Sequence, residues 1–137
     1  VYLQYMEIRQ LTSNDYDEIL VGWWKDWRWT APMRDFLPMN GSGGYIVYDE
    51  DIPVCAGYMY LTNSKAGWCD WIVSNFNYRG KRKEALSLLI DTISTQLKKL
   101  GYEYSYTVLK SKSLINTYKE SGYMEGSTQC TEMIKKL

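Results

Sequence analysis

The sequence contains no histidine. Its absence removes the side chain that most often acts as a general base near neutral pH and that most often binds transition metals. Acid-base or nucleophilic chemistry must therefore come from carboxylates, tyrosine, cysteine, serine or backbone groups. We accordingly expect no metal centre.

Cysteine is scarce, with 3 residues at wide spacing: Cys55, Cys69 and Cys130. An odd number of cysteines without close pairs argues against both a disulfide framework and a zinc site. The reducing cytoplasm is therefore the expected compartment. The chain also lacks an apolar run of about 18 residues and a basic segment followed by an apolar one, so we expect neither a transmembrane helix nor a signal peptide.

The chain has no net charge, because 16 basic residues balance 16 acidic ones. We therefore expect neither nucleic acid nor a membrane surface as a partner. The length of 137 residues suits one domain, residues 1–137, with a core of its own. Phenylalanine is rare, with 2 residues against 13 tyrosines and 6 tryptophans. Because Tyr and Trp join an apolar ring to a polar group, part of this set is expected to line a wet cleft or an interface and the rest to pack in the core.

Hydrophobic periodicity predicts an α/β fold after an irregular start at residues 1–5. The predicted order is β-α-α-β-β-β-α-β-α-β, with these approximate ranges: 6–11, 14–24, 32–36, 45–48, 52–61, 68–74, 86–100, 102–109, 111–121 and 123–134. Residues 38–44 are predicted to be a loop, and Gly57 inside its strand predicts a bulge or a close backbone approach. A strand-helix-strand crossover after an antiparallel meander predicts a mixed sheet with helices on both faces.

A basic turn, Arg79-Gly80-Lys81-Arg82-Lys83, joins the fourth predicted strand to the long helix. Such a junction directs unpaired backbone N–H groups, the positive end of the helix dipole and several cations to one spot, where a phosphate would bind well. The alternative is a solvated turn without a ligand, which is the commoner fate of a basic run.

Three segments in this order carry a resemblance to a known family: EIRQLTSNDY at 7–16, IVSNFNYRGK at 72–81 and LINTYKESGY at 114–123. The chain resembles the GNAT-type N-acetyltransferases, which transfer an acetyl group from acetyl-CoA to an amine. The resemblance implies a GNAT-like fold, acetyl-CoA as co-substrate, and a small-molecule or protein amine as acceptor. A monomer or homodimer is expected.

The pyrophosphate loop of this family follows the pattern Gln/Arg-x-x-Gly-x-Gly/Ala. Counted from Arg79, the two small positions hold Arg82 and Glu84; counted from Arg82, they hold Ala85 and Ser87 in a longer loop. Both registers lose the freedom of glycine to approach a phosphate, which predicts weaker or altered CoA binding. The cations of the turn could offset this loss by charge.

Further site residues follow from the resemblance. Backbone groups of Ile72, Val73 and Ser74 are expected to contact the thioester and the pantetheine arm, and the basic turn is expected to contact the diphosphate. Ser111 stands where the family often has a cofactor-contacting asparagine. Tyr118 is similar to the general acid beside the CoA sulfur, whereas the alternative is that it packs in the core at helical spacing from Leu114.

The usual base glutamate of the family aligns with Trp68, so the nearest carboxylate is Asp70, two residues on. Strand alternation predicts that Trp68, Asp70, Ile72 and Ser74 share one side of the sheet. Asp70 is then either the general base or a structural hydrogen-bond partner.

Acceptor recognition is expected to involve tryptophans near the first two helices. Trp24, Trp27 and Trp29 are the candidates for an aromatic wall that binds an amine, whereas the alternative is that they pack in the core or over the sheet edge. Two other hypotheses remain for the whole chain: a catalytically idle GNAT-like module that binds CoA, a nucleotide or a protein partner, and a mixed α/β domain without a cofactor.

Overall fold

The computed structural model describes residues 6–137, so the predicted irregular start at residues 1–5 lies outside the described residues. Its centre is one five-stranded sheet in the order β1-β2-β3-β4-β5. The first three pairings are antiparallel, and β4 pairs with β5 in parallel. This confirms the predicted mixed sheet. The strands are β1 (Met6–Gln10), β2 (Gly44–Asp49), β3 (Ile52–Tyr60), β4 (Ala66–Ser74) and β5 (Tyr104–Tyr106).

Within residues 6–137 there are three α-helices and several shorter turns, and the last helix follows the last strand. The first helix opens with a π-helical turn, Tyr16–Leu20, and continues as α1 (Val21–Asp26). Two 3-10 turns follow at Arg34–Phe36 and Pro38–Gly41, and the later helices are α2 (Arg82–Lys99) and α3 (Lys112–Glu120). Within residues 6–137, no helix has the length and apolar character needed to cross a membrane.

Helices cover both faces of the sheet, as the pattern predicted. On one face α2 buries Leu89, Ile90 and Ile93 against residues of β2, β3 and β4, and Tyr118 of α3 joins that cluster. On the other face the first helix buries Leu20 and Trp24 in a second cluster that also includes strand residues. Burying one Leu or Ile side chain stabilises a fold by about 1.5–3 kcal/mol, so these two layers hold the sheet.

A β-bulge interrupts β4. The β3–β4 register shifts between Ala56 and Tyr58, and Trp71 has a positive φ of 54°. Gly57 leaves room for the displaced strand, because a Cβ there would lie 2.4 Å from Cδ1 of Ile72. The predicted bulge or close approach at Gly57 is therefore confirmed.

The bulge changes which side chains share a face. Asp70 and Trp68 stand opposite Tyr58 and Tyr60, which pack on the α1 side of the sheet. Ile72 packs with the α2 cluster, and Ser74 stands opposite Cys55 of that same cluster. The predicted common face for Trp68, Asp70, Ile72 and Ser74 is wrong, because the extra residue at Trp71 inverts the alternation beyond it.

Three predicted elements also differ. The helix predicted at 32–36 is only the 3-10 turn Arg34–Phe36, and the strand predicted at 102–109 is only Tyr104–Tyr106. The last strand predicted at 123–134 is wrong, since residues 124–137 are exposed and carry no strand. β-propensity marks residues that suit a strand but supplies no neighbouring edge for them to pair with.

Gly44 offers a test of the close β2–β3 approach. A Cβ at this residue would lie 2.0 Å from the carbonyl oxygen of Gly57, a backbone atom that cannot move aside by itself. We expect Gly44→Ala to lower the free energy of unfolding by about 1–3 kcal/mol or more, measured by urea denaturation. The control is Gly22→Ala, because Gly22 lies in α1 with nothing within 4 Å of its Cβ position. That control should raise the unfolding free energy by about 0.5–1 kcal/mol, and an unchanged midpoint for Gly44→Ala would contradict the packing described.

Candidate active site

An opening forms where β4 and β5 part. β5 pairs with β4 at three positions and ends at Tyr106, opposite Trp68, whereas β4 runs on to Ser74. Residues 69–74 of β4 therefore extend past the end of their parallel neighbour. Openings at the carboxyl ends of strands in α/β sheets are common ligand sites.

Tyr118 of α3 places its hydroxyl in the core against β4, at Cys69, the first residue of β4 past the end of β5. The hydroxyl donates to the backbone carbonyl of Cys69 at 2.8 Å, and it lies 3.5 Å from the Cys69 Sγ. The Tyr118 side chain is only 2% exposed, and burial raises its pKa well above the ordinary value. The hydroxyl therefore keeps its proton at neutral pH. Burial also raises the pKa of Cys69 to about 12, so this thiol is not a ready nucleophile.

A partly buried polar cluster packs against Tyr118. The Tyr123 ring packs edge-on against it, with centroids 4.8 Å apart. The Tyr123 hydroxyl contacts the hydroxyls of Ser94, at 3.1 Å, and of Ser105. These contacts tie α2, β5 and the segment after α3 together behind the Tyr118 ring, which fixes the position of its hydroxyl.

Asp70 lies on the opposite face of β4 from Cys69. Its Oδ1 accepts a hydrogen bond of 2.8 Å from the backbone N–H of Trp71 at the bulge. Burial raises the pKa of Asp70 above its usual value, although the Trp71 N–H partly opposes this shift. A desolvated carboxylate of this kind is a stronger base than an exposed one.

Thr107 lies just past the end of β5. Its hydroxyl is close enough to the Asp70 carboxyl and to the Tyr118 hydroxyl to lower the pKa of each. Its Oγ1 is buried, yet among residues 6–137 no group bonds it at normal hydrogen-bond geometry. Sequence reasoning missed Thr107, because only the end of β5 at Tyr106 brings it to the opening.

The basic turn is organised by Arg82, which points inward. Its guanidinium donates to the carbonyls of Asn75, Phe76 and Tyr78 at 2.9, 3.3 and 2.7 Å, and it lies 5.4 Å from the Trp27 ring. Burial, with a smaller contribution from Arg79, lowers the pKa of Arg82. The prediction had Arg82 facing a ligand, but this geometry directs its charge to the loop carbonyls.

The other members of the turn lie around the start of α2. Arg79, Gly80 and Lys83 are exposed, and Lys83 forms an exposed salt bridge of 3.2 Å with Glu120. Lys81 is the N-cap residue, and its backbone N–H donates to the Tyr78 hydroxyl at 3.2 Å. Within the described chain no side chain caps the α2 N-terminus, so the N–H groups of its first turn remain available to an anion.

Two predicted cofactor contacts have structural partners of their own. The Ser111 hydroxyl caps α3 by accepting the N–H of Leu114 at 3.4 Å. The Ser74 carbonyl accepts the indole N–H of Trp27 at 2.8 Å. Ile72 and Val73 lie on the stretch of β4 beyond the end of β5, packed on opposite faces of the sheet.

The three tryptophans predicted to form one wall lie in different parts of the structure. Trp24 is buried in the core, with its ring 6.4 Å from that of Trp71, so it does not line a cleft. This corrects its predicted position. Trp27 and Trp29 stack at 5.4 Å, and Trp27 packs on Phe76 at 4.8 Å, so the pair covers the loop after β4. Trp29 is exposed there.

Other aromatic rings flank Asp70 instead. Trp68 packs edge-on against Tyr106 at 4.6 Å, and Trp71 packs edge-on against Phe36 at 5.8 Å. Tyr60 stands opposite Trp68 in the sheet. We name this set the aromatic face: Phe36, Tyr60, Trp68, Trp71 and Tyr106. The two tryptophans beside Asp70 in the sequence were a signal, but alternation alone places Trp71 on the wrong side.

Asp70 should make stability depend on pH with a recognisable sign. Its folded-state pKa is raised, so the folded protein binds this proton more tightly than the unfolded chain. The buried charge therefore lowers stability as the pH rises from the unfolded pKa, near 3.8, through the folded pKa. We expect Asp70→Asn to raise the free energy of unfolding at pH 7, with a smaller gain at acid pH, in denaturation series at several pH values.

Asp15 provides the control of opposite sign. Burial opposes its ionisation, but hydrogen bonds from Arg9, at 2.7 and 3.1 Å, and from the Thr12 N–H, at 2.7 Å, outweigh burial and lower its pKa. Asp15→Asn should therefore destabilise the protein at pH 7, and this loss should shrink as the pH falls through the folded pKa. A gain for Asp70→Asn that is constant with pH would contradict the assigned burial of its charge.

Comparison with known proteins gives the fold. No family model matches the chain, and no curated protein matches it. A glucosamine-6-phosphate N-acetyltransferase from Arabidopsis thaliana has a TM-score of 0.68 at 15% identity, covering 96% of this chain and 99% of that one. An acetyltransferase from Trypanosoma brucei has a TM-score of 0.68 at 14% identity, covering 95% and 100%. An aminoglycoside acetyltransferase from an uncultured soil metagenomic sample has a TM-score of 0.66 at 13% identity, covering 96% and 97%. The chain therefore has the fold of the GNAT-type N-acetyltransferases.

Proposed function

We propose that this protein is an acetyl-CoA-dependent N-acetyltransferase acting on a primary amine of a small molecule or a protein, by direct attack in a ternary complex. The observation that supports this most is the protonated Tyr118 hydroxyl at the opening between β4 and β5, with the Asp70 carboxyl on the same strand segment. The similar solved structures named above are acetyltransferases, which supports acetyl transfer as the class of reaction.

The donor site would be built by β4 and the α2 N-terminus. Bound there, acetyl-CoA supplies an activated acetyl thioester and a thiolate leaving group. The uncapped first turn of α2 and the cations Arg79, Lys81 and Lys83 suit its diphosphate, because a helix N-terminus stabilises anions. Gly80 lets the backbone of the turn come close, and Arg82 keeps the loop in shape. Backbone groups of β4 around Ile72 and Val73 would contact the acyl end.

The two proton positions lie on opposite faces of β4. Asp70 accepts the proton that the amine nitrogen loses as it bonds to the acetyl carbon. Tyr118 gives its proton to the sulfur as the carbon–sulfur bond breaks. The Thr107 hydroxyl lies near both groups, and in the proposed reaction it would pass the proton from Asp70 to the Tyr118 oxygen. The proton lost by the amine thus ends on the thiol, and both side chains return to their starting states.

A catalytically idle module that binds CoA is the second candidate function. It is favoured by Arg82, which bonds three carbonyls of the loop instead of facing a ligand. The turn also carries charged residues where the family pattern has glycine. Both candidates bind acetyl-CoA, and so only a measurement of acetyl transfer to an amine distinguishes this module from the enzyme.

Acetyl-CoA binding and thiol release test the proposal. We expect calorimetric titration to show one site, and Arg79→Ala to weaken binding about two- to fivefold because an exposed charge contributes modestly. Lys98→Ala, at the opposite end of α2, is the matched control and should leave the affinity unchanged. Thiol release should occur with at least one primary amine in a panel. Absence of binding at millimolar acetyl-CoA would refute both candidates, and binding without thiol release would favour the idle module.

Tyr118→Phe tests the proton donor. The variant keeps the ring and its packing but removes the proton that stabilises the leaving sulfur. We expect kcat to fall by about 10²–10⁴-fold, with the Kd for acetyl-CoA nearly unchanged. Tyr102→Phe is the control. The Tyr102 hydroxyl also forms hydrogen bonds with backbone groups, namely the carbonyl of Thr62 at 2.7 Å and its N–H at 2.9 Å, but it lies away from the opening. An unaltered kcat for Tyr118→Phe would remove Tyr118 from the mechanism.

A further inference from the structure

We infer that the acceptor is a monoamine with an aromatic or otherwise apolar body, which lies on the aromatic face with its amino group at Asp70. This inference rests on the proposed function and selects one substrate class for it.

The rings of the aromatic face lie on both sides of Asp70 along the sheet. Trp68 precedes it and Trp71 follows it on the same face, because the bulge turns Trp71 toward the α1 side. Tyr106 extends the face onto β5, and Phe36 extends it toward the first helix. Aromatic surface therefore lies on either side of Asp70 along the sheet.

This face is accessible. Phe36 is 45% exposed and Tyr106 is 53% exposed, and Trp68 and Trp71 are each partly exposed. Aromatic rings gathered around one carboxyl and open to solvent leave apolar area that a ligand can remove from water. The first helix covers the neighbouring part of this sheet face with Leu20 and Trp24, so the open rings begin where that cover ends.

The charges near the face favour an ammonium group and disfavour an anion. Asp70 is a carboxylate held among rings, and both the carboxylate and the ring faces attract a cation. Glu132 adds a second negative charge near Asp70. The guanidinium of Arg82 is bound to carbonyls of the loop beyond the end of β4. A phosphate on the acceptor would be repelled by these carboxylates, which disfavours a phosphosugar.

Hydrogen-bonding capacity also separates apolar bodies from polyhydroxylated ones. A sugar needs several polar partners, whereas the aromatic face presents mainly ring surface. The Tyr60 hydroxyl already donates to the Phe36 carbonyl at 3.3 Å. Unpaired sugar hydroxyls would lose their bonds to water on this surface, while an aryl or alkyl body would bury apolar area.

Equilibrium binding tests this inference without acetyl transfer. The probes are 2-phenylethylamine, ethylamine and glucosamine 6-phosphate, titrated calorimetrically into the whole chain with and without 1 mM coenzyme A. We expect 2-phenylethylamine to bind at least about tenfold more tightly than the other two, because its ring buries apolar area that they lack. Equal affinities for 2-phenylethylamine and ethylamine, or tighter binding of glucosamine 6-phosphate, would overturn the inference.

Variants locate the binding. Tyr106→Ala and Trp68→Leu should each reduce the preference for 2-phenylethylamine over ethylamine about three- to tenfold. Ile52→Ala is the matched control, since Ile52 is an exposed apolar strand residue, 48% exposed, outside the aromatic face. If both face variants keep the full preference, the aryl group binds elsewhere and the inference is overturned. Failure of the proposed function gives a different result, namely 2-phenylethylamine binding with no thiol release from acetyl-CoA.

Discussion

The candidate site depends on one backbone irregularity, the bulge in β4 at Trp71. A tryptophan in the left-handed region costs about 1–3 kcal/mol, and it persists because Gly57 leaves space opposite and because Asp70 accepts the Trp71 N–H. The extra residue puts Asp70 and Trp71 on one face and turns Ile72 to the other. Without it, the carboxyl would lie beside only one of the two tryptophans.

Two features of the site lower the stability of the fold, and the rest of the structure compensates for them. The Asp70 carboxyl is desolvated, and the Thr107 hydroxyl has no well-formed bond. Arg82 has the opposite role, because its three bonds to loop carbonyls fix the chain between β4 and α2. The opening is not the only place with such costs, because the buried Asp49 Oδ1 and Arg82 Nε also lack a partner among residues 6–137. The packed core offsets these costs.

The sequence predicts the elements better than their contacts. Leu89, Ile93 and Leu97 recur at helical spacing, and so α2 and its buried face follow from periodicity. Tyr118 is identified as a candidate by the motif at residues 114–123. The bulge does not, since tryptophan carries no signal for a positive φ; only Gly57, on the neighbouring strand, indicates it. The inward orientation of Arg82 depends on the directions of carbonyl groups in the folded loop, which the sequence does not show. The prediction of a last strand is wrong because β-propensity does not identify a neighbouring strand with which it could pair.

The topology also suits the proposal that one strand binds two substrates. Tyr118 and the α2 N-terminus lie on one side of β4, and Asp70 with the aromatic face lies on the other. A continuous sheet would separate the two faces. However, β5 ends at Tyr106, and so residues 69–74 of β4 do not pair with β5. In the proposed reaction, the two substrates enter from opposite faces and meet at this gap. Thr107, the first residue past β5, lies near both Asp70 and Tyr118, and so the proposal gives it the transfer of the proton between them.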